Sequence, residues 1–408
     1  MNGQQTNGVA ACASENEQNT CDTVGAAAKQ ATSKQLIAVV FILALATNMF
    51  LLPIFLIKAT GRDAYIAIAA GCIFDLLCLF ITLVAMKRSP DCDLFTLLES
   101  VIGKIGAKIV VALTGLFMFF KLNIAVAETL TFYTDNVFAD FDVAVMIIVL
   151  LLFLATVASH TLRAFCRLNE FLTPIIIVCV AILAAIVIMT GFDLANIFPA
   201  LRTPQEFTHS AVRHSAWIGD FMPLLLFLGR TGMKKRTCLF AAASGTIGAA
   251  VSVFFSLVLC AAFGNVSTLV DSSTNLSSIL QFSIGNVYGR IDLFSSILWS
   301  ISAFLEAALF FYAVCRCVSY VIGKYRHFYI ALAVGAALYF TQVFAFTDPT
   351  IFSLVATSVA VSVIVPTFSF VVPALALVCA IIKGRRDKRE NTRLIENAAA
   401  PSTELKHE

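Results

Sequence analysis

Ten apolar runs succeed one another along this chain, at about 35–57, 64–86, 107–133, 142–159, 170–190, 214–229, 237–263, 293–322, 328–346 and 356–382. A helix needs about 20 predominantly apolar residues to cross the hydrocarbon core of a bilayer. The runs therefore predict an all-α integral membrane protein with ten transmembrane helices. Charged residues make up 13% of the chain, against about 25% in a soluble domain. The 36 phenylalanines suit a surface that faces lipid. Little sequence remains for a soluble domain. Residues 1–34, rich in Asn, Gln, Ala, Thr and Ser, read as a disordered tail. They lack the basic start and apolar stretch of a secretory signal. Residues 35–382 form the transmembrane domain and residues 383–408 a basic tail.

Charge placement orients this layout, because Lys and Arg gather on the cytoplasmic side of a membrane protein. With both ends inside, 22 of the 28 basic residues fall on cytoplasmic segments, five fall outside, and Lys121 lies within a span. Shifting the count by one helix would scramble that alternation, so it supports ten spans and two cytoplasmic termini. Residues 93–102 suggest a short amphipathic helix on the cytoplasmic face. The five basic side chains of residues 383–389 are placed to meet anionic lipid.

Catalytic chemistry is not in view. The five histidines lie near loops or tails, no phosphate-binding glycine loop occurs, and no Ser-His-Asp set can be assembled. The 12 cysteines include no Cys-x-x-Cys pair and read as small buried hydrophobes. No metal, cofactor or nucleic-acid partner is expected, and no enzyme activity.

Interruptions within the spans say more. The first span reads Ala46-Thr47-Asn48-Met49-Phe50-Leu51-Leu52-Pro53, and the sixth Ala216-Trp217-Ile218-Gly219-Asp220-Phe221-Met222-Pro223. Each puts polar or small residues shortly before a proline, near mid-membrane. Pro53 and Pro223 each remove a helical hydrogen bond, and in lipid the freed carbonyls need another partner. Breaks in the first and sixth of ten spans correspond if helices 1–5 and 6–10 are two halves of opposite orientation. That is the inverted-repeat transporter pattern, five helices plus five, with a substrate at the two breaks. Proline kinks coinciding by accident remain the alternative.

Ionisable residues inside spans are expensive, so they face protein or water. Asp75, Lys121, Glu128, Asp220 and Glu306 fall in this class. Lys121 and Glu128 lie two turns apart on one face of the third span, with Ile124 and Ala125 between them. They suit a cavity wall, a proton or ion site, or an internal ion pair of Lys121 with Asp75. Glu170, close to Arg167, reads as a helix-start charge.

Several short motifs in order resemble the spore germination permease family, the B subunit of Ger-type germinant receptors, within the amino acid–polyamine–organocation superfamily. They are Ser33-Lys34-Gln35, Leu51-Leu52-Pro53, Ala59-Thr60-Gly61-Arg62-Asp63-Ala64-Tyr65, Ile102-Gly103-Lys104-Ile105-Gly106, Arg167-Leu168-Asn169-Glu170, Gly191-Phe192-Asp193, Pro199-Ala200-Leu201, Arg290-Ile291-Asp292 and Trp299. The resemblance covers roughly residues 33–385 and makes residues 35–382 a permease-like domain. It implies a LeuT-like fold, a small germinant that is usually an amino acid, a membrane A subunit and a lipoprotein C subunit as partners, and the inner membrane of a bacterial spore. It also implies a ligand at Thr47, Asn48 and Met49, under Ile218, Gly219 and Asp220, with the third and eighth helices alongside. Trp217 and Ile124 adjoin that place, and Glu128 matches an acid that recurs in the family's third helix. Ala46 and Asn48 stand where the family typically has glycines, and Asp220 where it usually has Glu, so the germinant itself stays open. A genuine amino-acid permease and an ion-conducting or assembly subunit are the other functions compatible with these residues.

Overall fold

The computed structural model describes residues 31–46, 52, 56, 63–90, 92–136, 142–191, 195, 197–198, 215–231, 233–263, 291–323, 327–356 and 358–399. The helices are α1 (Ser33–Leu45), α2 (Ala64–Arg88), α3 (Leu94–Asn136), α4 (Val143–Ser159), α5 (Leu162–Gly191), α6 (Lys235–Phe263), α7 (Ile291–Ile322), α8 (His327–Thr341), α9 (Pro349–Ala356) and α10 (Val359–Ala399). Among the described residues no strand forms, and seven helices are long and apolar enough to cross a membrane. The chain is a multi-pass helical membrane protein. α1 and α4 are apolar but shorter.

Several expected boundaries move, each for a local reason. Helix α1 begins inside the tail expected to end at residue 34. Thr32 and Gln35 close a reciprocal capping box, and the Ala31 N–H donates to the Arg230 carbonyl at 3.1 Å. Helix α5 starts at Leu162, where the Thr161 hydroxyl accepts from the Ala164 N–H. Glu170 is therefore well inside the helix and exposed rather than at its start. The basic segment 383–389 continues α10, which extends to Ala399.

The sixth expected span departs most. Within it, residues 215–229 do not form an α-helix. Two 3₁₀ turns, Ser215–Trp217 and Met222–Phe227, flank an irregular stretch in which Gly219 adopts φ 99°. Pro223 sits in the first turn of the second, where its missing N–H costs nothing.

The helices pack in two groups. α6 lies against α1 and α2, while α3 lies chiefly against α7, with α4 and α8 beside them. α10 touches both α2 and α3, and the 3₁₀ turns sit against α2, α3, α7 and α10. The first group is joined through small residues, which let helix backbones approach closely in lipid. A β-carbon on Gly248 would lie 2.7 Å from Ala44 Cβ and 3.0 Å from the Phe41 carbonyl. Ser244 Oγ donates to the Ile37 carbonyl at 2.8 Å. Ser252 Oγ lies 3.2 Å from the carbonyl of Ala44, in the last turn of α1.

The second group has its own polar knot. On α3, Asn123 points roughly 200° away from Lys121 at about 100° per residue. Its side-chain oxygen accepts from Thr341 Oγ1 at 2.6 Å and Gln342 Nε2 at 3.1 Å, where α8 widens into a π turn over Gln342–Phe346. A third device is a strap. Gly103 (φ 75°) breaks α3, and the short helix before it is pinned down. Phe95 stacks on Tyr320, whose hydroxyl donates to Glu99, and Arg386 donates to the Ser100 carbonyl.

Gly248→Val should lower the unfolding stability of the chain in detergent by about 1–3 kcal/mol through overpacking. Ser244→Ala should cost only about 0.6 kcal/mol. Equal effects of the two would contradict the close α1–α6 approach.

Candidate functional site

The irregular stretch between the two 3₁₀ turns is where buried charge converges. Asp220 lies on it at 1% exposure, and Lys121 of α3, at 3%, pairs with it at 2.8 Å. Lys121 Nζ also donates to the Ala216 carbonyl at 3.0 Å. That carbonyl belongs to a turn rather than a helix, so it is available to a side chain. The expected partner of Lys121, Asp75, is otherwise engaged. Its Oδ1 accepts the Gly219 N–H at 2.7 Å, bridging α2 to the break. Asp75 is thus the group that fixes the break, and Asp220 is the one that balances the lysine.

Gly219 is required there twice over. Its φ of 99° is disfavoured for L side chains. A β-carbon would also collide with Ser369 of α10 and lie 3.5 Å from the Phe117 ring.

Two more acids complete the cluster. Glu128, two turns from Lys121 on the same face of α3, accepts a hydrogen bond from Trp217 Nε1. Glu306 of α7, 1% exposed, faces Asp220. Trp299, two turns before Glu306, packs on Phe132 with ring centroids 4.3 Å apart. Ile124 and Ile218 are buried alongside. Among the residues expected at the site, Asp75, Lys121, Ile124, Glu128, Trp217, Ile218, Gly219, Asp220, Pro223 and Glu306 are buried around or beside this break. Thr47, Asn48, Met49 and Pro53 lie outside the described residues.

Ser369, Phe117 and Phe132 were not foreseen. Ser369 is an ordinary helix serine whose hydroxyl donates to Val365 O, and only the fold brings it against Gly219. A cavity of about 430 Å³ lies elsewhere, on a neighbouring face of α3 between α4 and α7, walled by Thr129, Leu130, Tyr133, Val149, Phe153 and Phe304. It is apolar and carries none of the cluster. Among the described residues, no three His, Cys, Asp or Glu side chains are placed to hold a metal ion.

The arrangement joins the two helix groups. Lys121, Glu128 and Glu306 come from α3 and α7, while Asp75 comes from α2, and Trp217, Gly219 and Asp220 come from the break. The sequence model of the spore germination protein (spore permease) family matches residues 30–350. The chain belongs to the spore germination permease family. No curated protein matches it by sequence. Among solved structures, this family member is similar to Mhp1, a nucleobase-cation-symport-1 family transporter, in a closed conformation with bromovinylhydantoin bound. Identity is 13%, with 88% of this chain and 93% of that one covered and a TM-score of 0.56. It is also similar to a mutant of the Eremococcus coleocola manganese transporter, at 11% identity over 86% of this chain and 78% of that one, with a TM-score of 0.51. The spore germination permease shares the overall fold of these transporters, which is LeuT-like.

Removing one partner of a buried ion pair strands the other charge, typically at a cost of about 3–5 kcal/mol, whereas replacing both with neutral groups is often close to neutral. Lys121→Met should therefore destabilise the purified chain strongly, and Lys121→Met with Asp220→Asn should recover most of the loss. Denaturant unfolding in micelles checks this; additive losses would contradict the pairing.

Proposed function

We propose that this chain is the germinant-binding B subunit of a Ger-type receptor, and that a small amino acid binds at the break around Gly219 and Asp220. The observation that carries the reading is the ion pair of Lys121 with Asp220. It sets the chain's buried charges at a helix break, between two helix groups, in a member of the spore germination family. On this reading the fold is ten transmembrane helices in a five-plus-five inverted repeat. The first helix breaks at Thr47, Asn48 and Met49, opposite the sixth. Both termini are cytoplasmic, the membrane is the spore's inner one, and A and C subunits receive the signal.

A half-helix N-terminus at such a break is the usual partner of a ligand carboxylate. The structure favours another partner, since Asp75 holds the Gly219 amide and only a short 3₁₀ turn follows. Lys121 is then the group that meets the carboxylate. Binding at a joint can shift a two-state equilibrium only if one state binds more tightly. A ligand that bridges Lys121 of one group and the break that Asp75 ties to the other meets that condition, because its contacts depend on how the groups sit.

A second reading, a genuine amino-acid permease, draws on the fold shared with two transporters. Counterflow of labelled amino acid in proteoliposomes separates them, since a sensor without transport shows none. A third, ion-conducting or assembly role would give sustained current from the chain alone or no ligand dependence.

A screen of the twenty amino acids by thermal unfolding should find one or a few that stabilise the chain saturably, by about 2.7 kcal/mol at a hundred times Kd. Asp220→Asn and Asn48→Leu should weaken that response. Gly219→Ala should abolish it, because its β-carbon has no room. An unchanged response in Asp220→Asn and Asn48→Leu would sink the site assignment.

A further inference from the structure

The acids of the cluster are not equally engaged. Asp220 pairs with Lys121, Asp75 accepts the Gly219 amide, and Glu128 accepts the Trp217 indole. Glu306 faces Asp220, itself an acceptor, and its Oε2 is buried and accepts no hydrogen bond among the described residues. Buried carboxylate oxygens are costly without a donor, so an orphan one on a protein-facing helix calls for a partner that comes from outside the chain. On the same face of α7, two turns away, the indole N–H of Trp299 is likewise buried without an acceptor.

We infer that Glu306 is the anchor for a cationic amino group on the ligand, and so a specificity-determining residue of the site proposed above, on which this inference rests. Three observations select that chemistry. The unsatisfied atom is an acceptor, so its guest is a donor. Among the described residues, four buried carboxyl groups, Asp75, Asp220, Glu128 and Glu306, surround one buried ammonium, that of Lys121, so the local field favours a second positive charge over a neutral donor. No trio of ligating side chains among the described residues converges tightly enough for a metal ion. A small divalent ion needs such convergence, whereas an ammonium needs only one or two well-placed oxygens. The ligand's amino group then lies against α7 while Lys121, on α3, is left for its carboxylate. The requirement is for a primary amine, and a deaminated acid of the same size would leave Glu306 Oε2 unpaired.

The test uses the full-length chain in detergent micelles, read by thermal unfolding at constant ionic strength. The probes are alanine, alaninamide, n-propylammonium, propionate, and sodium or potassium chloride against choline chloride. Saturable stabilisation by the amine-bearing probes and none by propionate supports the inference. Glu306→Gln, nearly isosteric but uncharged, should weaken binding of those probes by about thirty-fold or more, as expected when one side of a buried charge pair is lost. Propionate matching alanine, equal responses of wild type and Glu306→Gln, or no response to any probe overturns it. Stabilisation by sodium or potassium alone overturns it too, since the guest is then an inorganic ion. Stabilisation by n-propylammonium or alaninamide without alanine upholds the Glu306 anchor and defeats the amino-acid reading instead. If Glu306→Gln does not fold, the comparison of propionate with the amines on the wild-type chain decides alone.

Discussion

A lysine ammonium with no access to water is the constraint around which this structure is arranged. In a low-dielectric interior a lone charge is prohibitively costly, and a pair survives only with close geometry and additional hydrogen bonds. Lys121 has both, from Asp220 at 2.8 Å and the Ala216 carbonyl at 3.0 Å. The carbonyl is available because residues 215–227 do not continue as an α-helix. The non-helical backbone is tolerable at membrane depth because protein surrounds it. Asp75 completes the arrangement from α2 by taking the Gly219 amide. Ion pair and break therefore depend on each other.

That interdependence lies between the two helix groups. One group is zipped by Gly248 and Ser244 against α1, and the other is pinned by Asn123, Thr341 and Gln342. Among the described residues, Lys121, Glu128 and Asp75 make polar contacts to the break that lies between the groups. A ligand competing for those contacts has leverage on the relation between the groups. This supports the sensing role proposed for the chain without requiring that anything pass through it.

The apolar runs made the helices legible, because length and hydropathy alone set them. An interruption at Gly219-Asp220 ahead of Pro223 was legible too, though not that residues 215–227 form 3₁₀ turns in place of a broken α-helix, and so was the list of buried charges, since no ionisable residue enters a span without a reason. Which charge meets which was not. Lys121 was as plausibly paired with Asp75, because helix packing, not sequence spacing, sets the partner across α2, α3 and the break. Asn123 and Gln342 were passed over because they carry no charge, although the argument that singles out buried ions applies to buried amides as well. Ser369 left no trace in the sequence at all. The strap at residues 94–102 was foreseen from its amphipathic pattern; its anchors on Tyr320 and Arg386 were not.

The chain's two tryptophans, Trp217 and Trp299, both belong to the cluster, one donating to Glu128 and the other packed on Phe132. Intrinsic tryptophan emission of the intact chain, titrated with an amino acid that equilibrium dialysis shows to bind, therefore reports on the joint directly. A saturable change in emission that tracks the binding isotherm, and that Asp220→Asn removes, is the predicted result. Binding with emission unchanged would contradict the account, because the ligand would then sit away from the Lys121–Asp220 joint.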